Sequence, residues 1–258
     1  MIRSAPDAPV FPEVRIHWLA HTPRQTWTEV LETTHSEVAL WVIVGDGSST
    51  EQVGAAVDIA RTCAPETLCL LVMAARGGDD ERRLADAVRG HCNALVVSAP
   101  GAQANTARAL VQAIMTPLAD EHPWCFDWND MRHLCTLGRA GEVARMFRAV
   151  GRGPDVARDL VAQWSLAQGA SRPLKLLVMG GLRGPDQMHL HHELRRILAN
   201  RGVPGDLLGF AVQFDDALGP GEVALTILSF GPPDVSDGGA PAMPAAIAPD
   251  LPLFLRRV

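Results

Sequence analysis

The turn Gly45-Asp46-Gly47-Ser48-Ser49-Thr50-Glu51-Gln52 has the composition that anion chemistry asks for. Small residues let backbone N–H groups approach a phosphate, and a helix starting at the same place adds a favourable dipole. Gly, Ser and Asp are also the ordinary residues of turns and helix caps, and Glu51 sets a negative charge beside any phosphate. The turn fits both readings. Asp127 and Asp130 stand three apart at the start of a short helix, so both carboxylates project to one side. They could polarise water or hold a cation, and the helix dipole alone equally favours acids in a first turn. His189-Leu190-His191-His192-Glu193 places His189 and Glu193 one turn apart, a metal-like spacing. Leu190, Leu194, Ile197 and Leu198 mark the buried face of that helix, which turns His189, His192 and Glu193 to solvent, and no metal is expected there. Trp124 and Trp128 fit either core or interface.

The elements that must position these groups alternate. Residues 14–20 read as a strand and 24–33 as a short amphipathic helix. Then come an apolar run over 38–45, helical spacing over 51–63, a strand over 68–75, a helix over 79–90 and a strand over 93–98. That rhythm predicts a parallel sheet with crossover helices. A longer helix over 102–119 carries Val111, Ile114, Met115 and Leu118 on one face. Beyond it the pattern changes: helix 127–137, strand 141–150, helix 155–166, strand 174–179, helix 186–200, and strands 206–214 and 222–230. Two strands in succession predict a mixed sheet in a second, α+β subdomain, with the 102–126 stretch joining it to the first. The expected division is an arm (1–12), a first domain (13–101), the connecting helix (102–126), a second subdomain (127–230), a linker (231–249) and a last segment (250–258). The first 44 residues contain no glycine, so neither a Walker-type loop nor a G-x-G-x-x-G turn can follow the first strand.

Bulk properties narrow the class. A formal charge of −6 and an apolar share of 47% describe an ordinary globular protein rather than a nucleic-acid binder. No stretch approaches the roughly 18 apolar residues of a membrane span, and the first residues lack an export signal's apolar region, so a cytoplasmic protein is expected. The five cysteines show no C-x-x-C spacing and read as buried thiols in a reducing compartment. Residues 231–249 are mostly Gly, Pro, Ala, Ser and Asp and cannot bury enough apolar surface to fold. Asp250-Leu251-Pro252-Leu253-Phe254-Leu255-Arg256-Arg257-Val258 is then abruptly apolar and basic. An apolar segment behind a solvated spacer is the pattern of a peptide that folds onto a partner; the alternative is packing against its own body.

Taken together and in this order, the pieces resemble the FtsZ family, the bacterial tubulin-like division GTPases. Residues 40–54 are similar to that family's strand and glycine-rich signature loop, and 68–100 to its next strand, helix and strand. Asp127-Trp128-Asn129-Asp130-Met131 is similar to its D-F-A-D-V synergy loop, 174–231 to its C-terminal subdomain, and Leu251 to Arg257 to its I-P-A-F-L-R-R docking tail. The fold so implied is a truncated tubulin/FtsZ-like parallel-sheet domain, joined by a central helix to an α+β subdomain with a mixed sheet. By the same resemblance Gly45, Gly47, Thr50, Asp79 and Arg83 stand at nucleotide-binding positions, and Asp127 and Asp130 at the catalytic synergy positions. The tail residues Leu251, Pro252, Leu253, Phe254, Leu255, Arg256 and Arg257 would bind FtsZ-tail partners of the FtsA, ZipA or SepF type.

The departures from the family are equally specific. The glycine-rich first loop is missing. Ser48, Ser49, Glu51 and Val53 stand beside the signature glycine positions, the guanine-contacting positions fall at Pro100, Ala104 and Asn105, and the Asn before the synergy aspartates is Cys125. The resemblance, with these losses, implies no GTP cofactor and no GTPase activity. It implies a protein that retains the surface acting on a neighbour's pocket, caps FtsZ filaments or competes for their partners, and is recruited to the division site. A self-assembling GTPase with a rebuilt pocket, and a scaffold unconnected with division, are the other readings.

Overall fold

A strand buried on both faces reads as a continuous apolar run, because neither side of its pleat meets water. Three such runs form the centre of the molecule: β2 (Ala39–Gly45), β3 (Leu68–Ala74) and β4 (Ala94–Ser98), with every residue of β3 and β4 buried. The structure, a computed structural model, describes residues 13–19, 39–47, 49–65, 67–115, 128, 131–132, 135, 143–153, 155–168, 175–182, 188–203, 208–214, 218–231 and 233. The expected helix over 24–33, both synergy aspartates and the segment 250–258 lie outside them.

β1 (Glu13–Trp18) flanks β2, α1 (Thr50–Arg61) joins β2 to β3, and α2 (Gly78–Val88) joins β3 to β4. After α3 (Gln103–Met115) come β5 (Val143–Arg152), α4 (Asp155–Gln168), β6 (Lys175–Leu182), α5 (Met188–Asn200), β7 (Leu208–Phe214) and β8 (Glu222–Gly231). The eight strands of the described residues make one sheet in the order β1-β2-β3-β4-β5-β8-β6-β7. β1 to β5 run parallel, β8 is antiparallel to both of its neighbours, and β6 and β7 are parallel. The mixed character expected of the second half therefore comes from one strand: β8, the last of the described strands, inserts between β5 and β6. The two halves share a continuous sheet, stitched by the short β4–β5 register Leu95↔Val143, Val96↔Ala144 and Val97↔Arg145. β8 runs through Gly231, which pairs with Val143, so the ladder takes in the first residue of the expected linker.

Side-chain alternation sorts the helices by face. Leu40, Val42, Val44, Leu68, Leu70, Val72, Ala94 and Val96 pack with Ala107, Leu110, Val111 and Ile114 of α3. Ile43, Cys69, Leu71, Met73, Leu95 and Val97 point the other way, against Val53, Ala56, Val57 and Ala60 of α1 and Leu84, Ala85 and Val88 of α2. On that same second face, Phe147, Val178, Val223, Leu225 and Ile227 pack against α4 and α5. So α3 lies on the face opposite to α1, α2, α4 and α5, crossing β2 and β3 and reaching β6. It is joined there by Met131 and Cys135, both buried, and by partly buried Trp128. Trp128, Met131, Arg132 and Cys135 are helical, in agreement with the 127–137 expectation. Among the described residues no helix is long and apolar enough to cross a membrane.

Candidate functional site

In an open parallel sheet the crevice for a ligand forms beyond the carboxyl ends of the strands, where neighbouring strands send their connections to opposite faces. Here that point lies between β3, which hands over to α2, and β4, which hands over to α3 on the other face. Ala75 N donates to Ser98 O at 3.1 Å, so the two strands stay paired past their ends. Ser98 Oγ and Thr106 Oγ1, buried and 3.0 Å apart, then tie β4 to the start of α3.

The 45–52 turn stands next to this point. Leu19 N donates to Val44 O at 3.0 Å, which carries the leucine over the end of β2. A Cβ on Gly45 would sit 2.7 Å from Leu19 Cδ1 and 3.0 Å from Met73 Sδ, so this glycine makes room for the protein's own side chains. Gly47 has a φ of +65°, and a Cβ there would stand 2.8 Å from Ala74 O and 3.2 Å from a methyl of buried Leu84. Both glycines are thus accounted for by internal packing.

Several polar groups of the turn bond within it or to α2. Ser49 takes an extended conformation and caps α1, its Oγ accepting from Gln52 N at 3.1 Å. Gln52, buried despite its amide, accepts through Oε1 from Asp46 N at 3.2 Å. Arg83 reaches back from α2 to donate to Gly47 O at 2.7 Å and lies 3.6 Å from Asp80, whose other oxygen accepts from Arg76 N at 3.2 Å. The result is a knot: β2–α1 turn, α2 and β3–α2 loop hold one another.

Charge points the same way. The first turn of α1 carries Glu51 and that of α2 carries Asp79, Asp80 and Glu81. Those carboxylates suit the helix dipoles and oppose an incoming anion. Glu81 is turned inward, its carboxylate only 5% exposed and ion-paired with Arg145 of β5, itself 20% exposed. This pair fastens α2 to the second half of the sheet across β4. Sequence pattern marks Glu81 only as a first-turn acid, and its partner is 64 residues away.

Of the residues singled out from sequence, Gly45, Gly47, Thr50 and Arg83 come together at this turn. Asp79 is exposed on the first turn of α2, four residues before Arg83. Pro100 and Asn105 are exposed and Ala104 partly buried around the start of α3. On α5, Leu190, Leu194 and Leu198 are buried as expected; His189 and His192 face outward, and Glu193 receives two hydrogen bonds from Arg196, at 2.7 and 3.0 Å, that hold its carboxyl below the usual carboxylate range. Among the described residues no group of three or more His, Cys, Asp or Glu is arranged to hold a metal ion.

No family model matches the chain, and no curated protein matches it in sequence. Solved structures do. A point mutant of FtsZ from M. jannaschii superposes with a TM-score of 0.57 at 14% identity, over 80% of this chain and 70% of that one. An empty FtsZ dimer from the same organism gives 0.54 at 12%, with the same coverage. TubZ from Bacillus thuringiensis serovar israelensis, in GDP-form protofilaments, gives 0.56 at 11%, over 80% of this chain and 63% of that one. The fold is therefore of the tubulin/FtsZ type, an α/β architecture with a mostly parallel mixed sheet.

Proposed function

We propose that this protein is a non-catalytic, FtsZ-like interaction protein, which meets FtsZ or FtsZ-tail-binding proteins instead of hydrolysing nucleotide. The observation that carries this reading is the closure of the 45–52 turn on itself. Asp46 N–H and Gln52 N–H, two donors that could meet a phosphate, are bonded to Gln52 Oε1 and Ser49 Oγ, the Arg83 guanidinium is turned to Gly47 O, and the carboxylates of Glu51, Asp79 and Asp80 occupy the adjoining first turns. On this reading Asp127 and Asp130 lie on a surface that docks on the exposed nucleotide face of an FtsZ subunit, and the docked chain offers no pocket for the next subunit. It caps the filament. Leu253, Phe254 and Leu255 would enter a hydrophobic groove on an adaptor while Arg256 and Arg257 meet acidic residues at its rim. Beyond Gly231, which β8 holds, an 18-residue spacer over 232–249 would reach about 25 Å as a coil, enough to span to a neighbouring adaptor.

The second reading is a nucleotide-dependent, self-assembling GTPase with a rebuilt pocket. It draws support from Arg83, which stands at the turn, and from the TubZ neighbour, which forms protofilaments. Titration with a fluorescent GTP analogue separates the two: no saturation is expected, and saturable micromolar binding would remove the first reading. For capping, substoichiometric protein should reduce FtsZ pelleting, and Asp127→Ala with Asp130→Ala should weaken that effect. Unchanged FtsZ assembly at equimolar protein sinks the cap. Deletion of residues 250–258 with no loss of partner binding or localisation would favour a scaffold unconnected with division.

A further inference from the structure

A sheet satisfies its own backbone except at its two outermost strands, each of which presents a row of N–H and C=O groups outward. Here those strands are β1 and β7. Their chemistry differs. β1 carries ionisable residues at alternate positions, Glu13, Arg15 and His17, with Arg15 exposed and its guanidinium set over Trp41. Charges of this kind are an ordinary means of keeping an edge from pairing with another chain. β7 reads Leu208-Gly209-Phe210-Ala211-Val212-Gln213-Phe214, with no ionisable residue and no proline. Among the described residues it is paired on one side, in parallel with β6 from Leu176↔Leu208 to Leu182↔Phe214.

The partner that fits such an edge is another strand, because a row of backbone donors and acceptors is matched by a second row. The sequence of β7 suits a copy of itself. In antiparallel pairing about a two-fold axis, one residue lies opposite its own counterpart. For all of β7 to pair, that residue is Ala211, the middle one. The register then sets Phe210 opposite the partner's Val212, Leu208 opposite the partner's Phe214, and Gly209 opposite the partner's Gln213. Aromatic residues opposite β-branched or other apolar ones are favoured cross-strand pairs. Alanine on the axis spares the seam a collision between two identical bulky groups. Although each chain carries a formal charge of −6, no charge meets its like along these strands.

We infer that β7 is a self-association edge, at which two copies of this chain join antiparallel about a two-fold axis through Ala211 and continue their sheets into one. An axis perpendicular to the sheet keeps α4 and α5 of both copies on the same side, so the helix layers do not obstruct the join. The inference needs no FtsZ partner and no nucleotide.

The test is sedimentation equilibrium of the reduced full chain from about 1 to 200 µM. Exposed Arg195 and Arg201 belong to α5 and the turn after it, so salt is kept at about 0.15 M, where charges more than roughly 8 Å apart are largely screened. A monomer–dimer equilibrium is expected. Ala211→Lys and Ala211→Asp each put like charges opposite one another with Cα atoms about 4.5–5.5 Å apart, and each should raise the dissociation constant at least ~10-fold. Mixing the two variants sets lysine against aspartate and should bring association back to within ~3-fold of wild type. That rescue requires residue 211 to face itself. If a charged variant folds poorly by circular dichroism, Ala211→Cys gives the same reading: mild oxidation should link two chains through residue 211, because the paired Cα atoms lie within disulfide reach. A wild-type chain that stays monomeric over the whole range, a dimer that Ala211→Lys leaves intact, a mixture of folded variants that associates no better than either alone, or no link through residue 211 in a dimerising Ala211→Cys chain would each overturn the proposal.

Discussion

The two halves of the sheet are built from similar strands and covered differently. Around β2, β3 and β4 helices lie on both faces, α3 on one and α1 and α2 on the other. Beside β5 to β8, α4 and α5 lie on a single face. The consequence is written in the burial of the strands. β3 and β4 are buried at every residue, whereas β5 is buried from Val143 to Phe147 except at Arg145 and then gives way, until Val150 is 55% exposed. β8, paired with β5 in the opposite sense, mirrors it: alternating at Glu222 to Leu225, fully buried from there to Gly231. Val150 faces Ala224 and Arg152 faces Glu222, so both strands lose cover at the same corner. Two-sided cover makes apolar runs and one-sided cover makes alternation, within one sheet.

The largest expected effect tests this contrast directly. Leu110 of α3 is wholly buried against the two-sided half, and Leu110→Ala should cost about 2–5 kcal/mol in denaturant unfolding. Val150→Ala, at the uncovered corner, should change stability by less than about 0.5 kcal/mol. Equal losses at the two positions would mean that the corner is covered after all.

The seam between the halves comes next. Removing one member of a buried ion pair leaves the other uncompensated, so Glu81→Ala should cost about 2–3 kcal/mol, less than a fully sequestered pair because Arg145 keeps some solvent contact. A double-mutant cycle with Arg145→Ala should return a coupling of about 1 kcal/mol or more. Additive losses would show that the pair does not fasten α2 to β5.

Within the two-sided half, Gly47→Ala should cost about 1–3 kcal/mol, since alanine must adopt a positive φ while its Cβ meets Ala74 O. Because Gly47 is held by internal packing, no loss of ligand binding should accompany the loss of stability. A stable Gly47→Ala protein would instead reopen a ligand-based reason for the glycine.

How much of this was legible in the sequence follows from the same contrast. The runs 40–44, 68–75 and 94–97 announce a doubly covered parallel sheet, because burial on both faces erases any competing periodicity. Leu190, Leu194 and Leu198 announce the buried face of α5 for the complementary reason, a helix with one dry side. The insertion of β8 between β5 and β6 leaves no local trace, since strand order is decided by pairing at long range. The same holds for the site. Gly45 and Gly47 mark the turn, yet whether its polar groups face a ligand or one another depends on Gln52 folding back to Asp46 and on Arg83 arriving from another helix. Likewise the cysteines read as buried thiols by composition; Cys69 and Cys135 are buried, but Cys63 and Cys92 are only partly buried, at the edge of the core that holds Cys69.

The smallest effect lies at the outer flank of the two-sided half. On β1, His17 stacks on Trp41 with ring centroids 4.8 Å apart, and the Arg15 guanidinium lies 5.4 Å from the same indole. Burial and the neighbouring Arg15 charge lower the His17 pKa below its ordinary value near 6.5. The unfolded chain therefore takes up a proton at a higher pH than the folded one. The stabilisation from a neutral His17 is fully present above the unfolded value and is lost as pH falls through the lower folded value. Urea midpoints measured from pH 7.5 down to pH 5 should decline, and His17→Phe, which keeps a ring against Trp41, should flatten that decline. If the variant loses stability with pH as steeply as the wild type, the edge strand carries no titrating contact, and the outer flank is as dry as the centre.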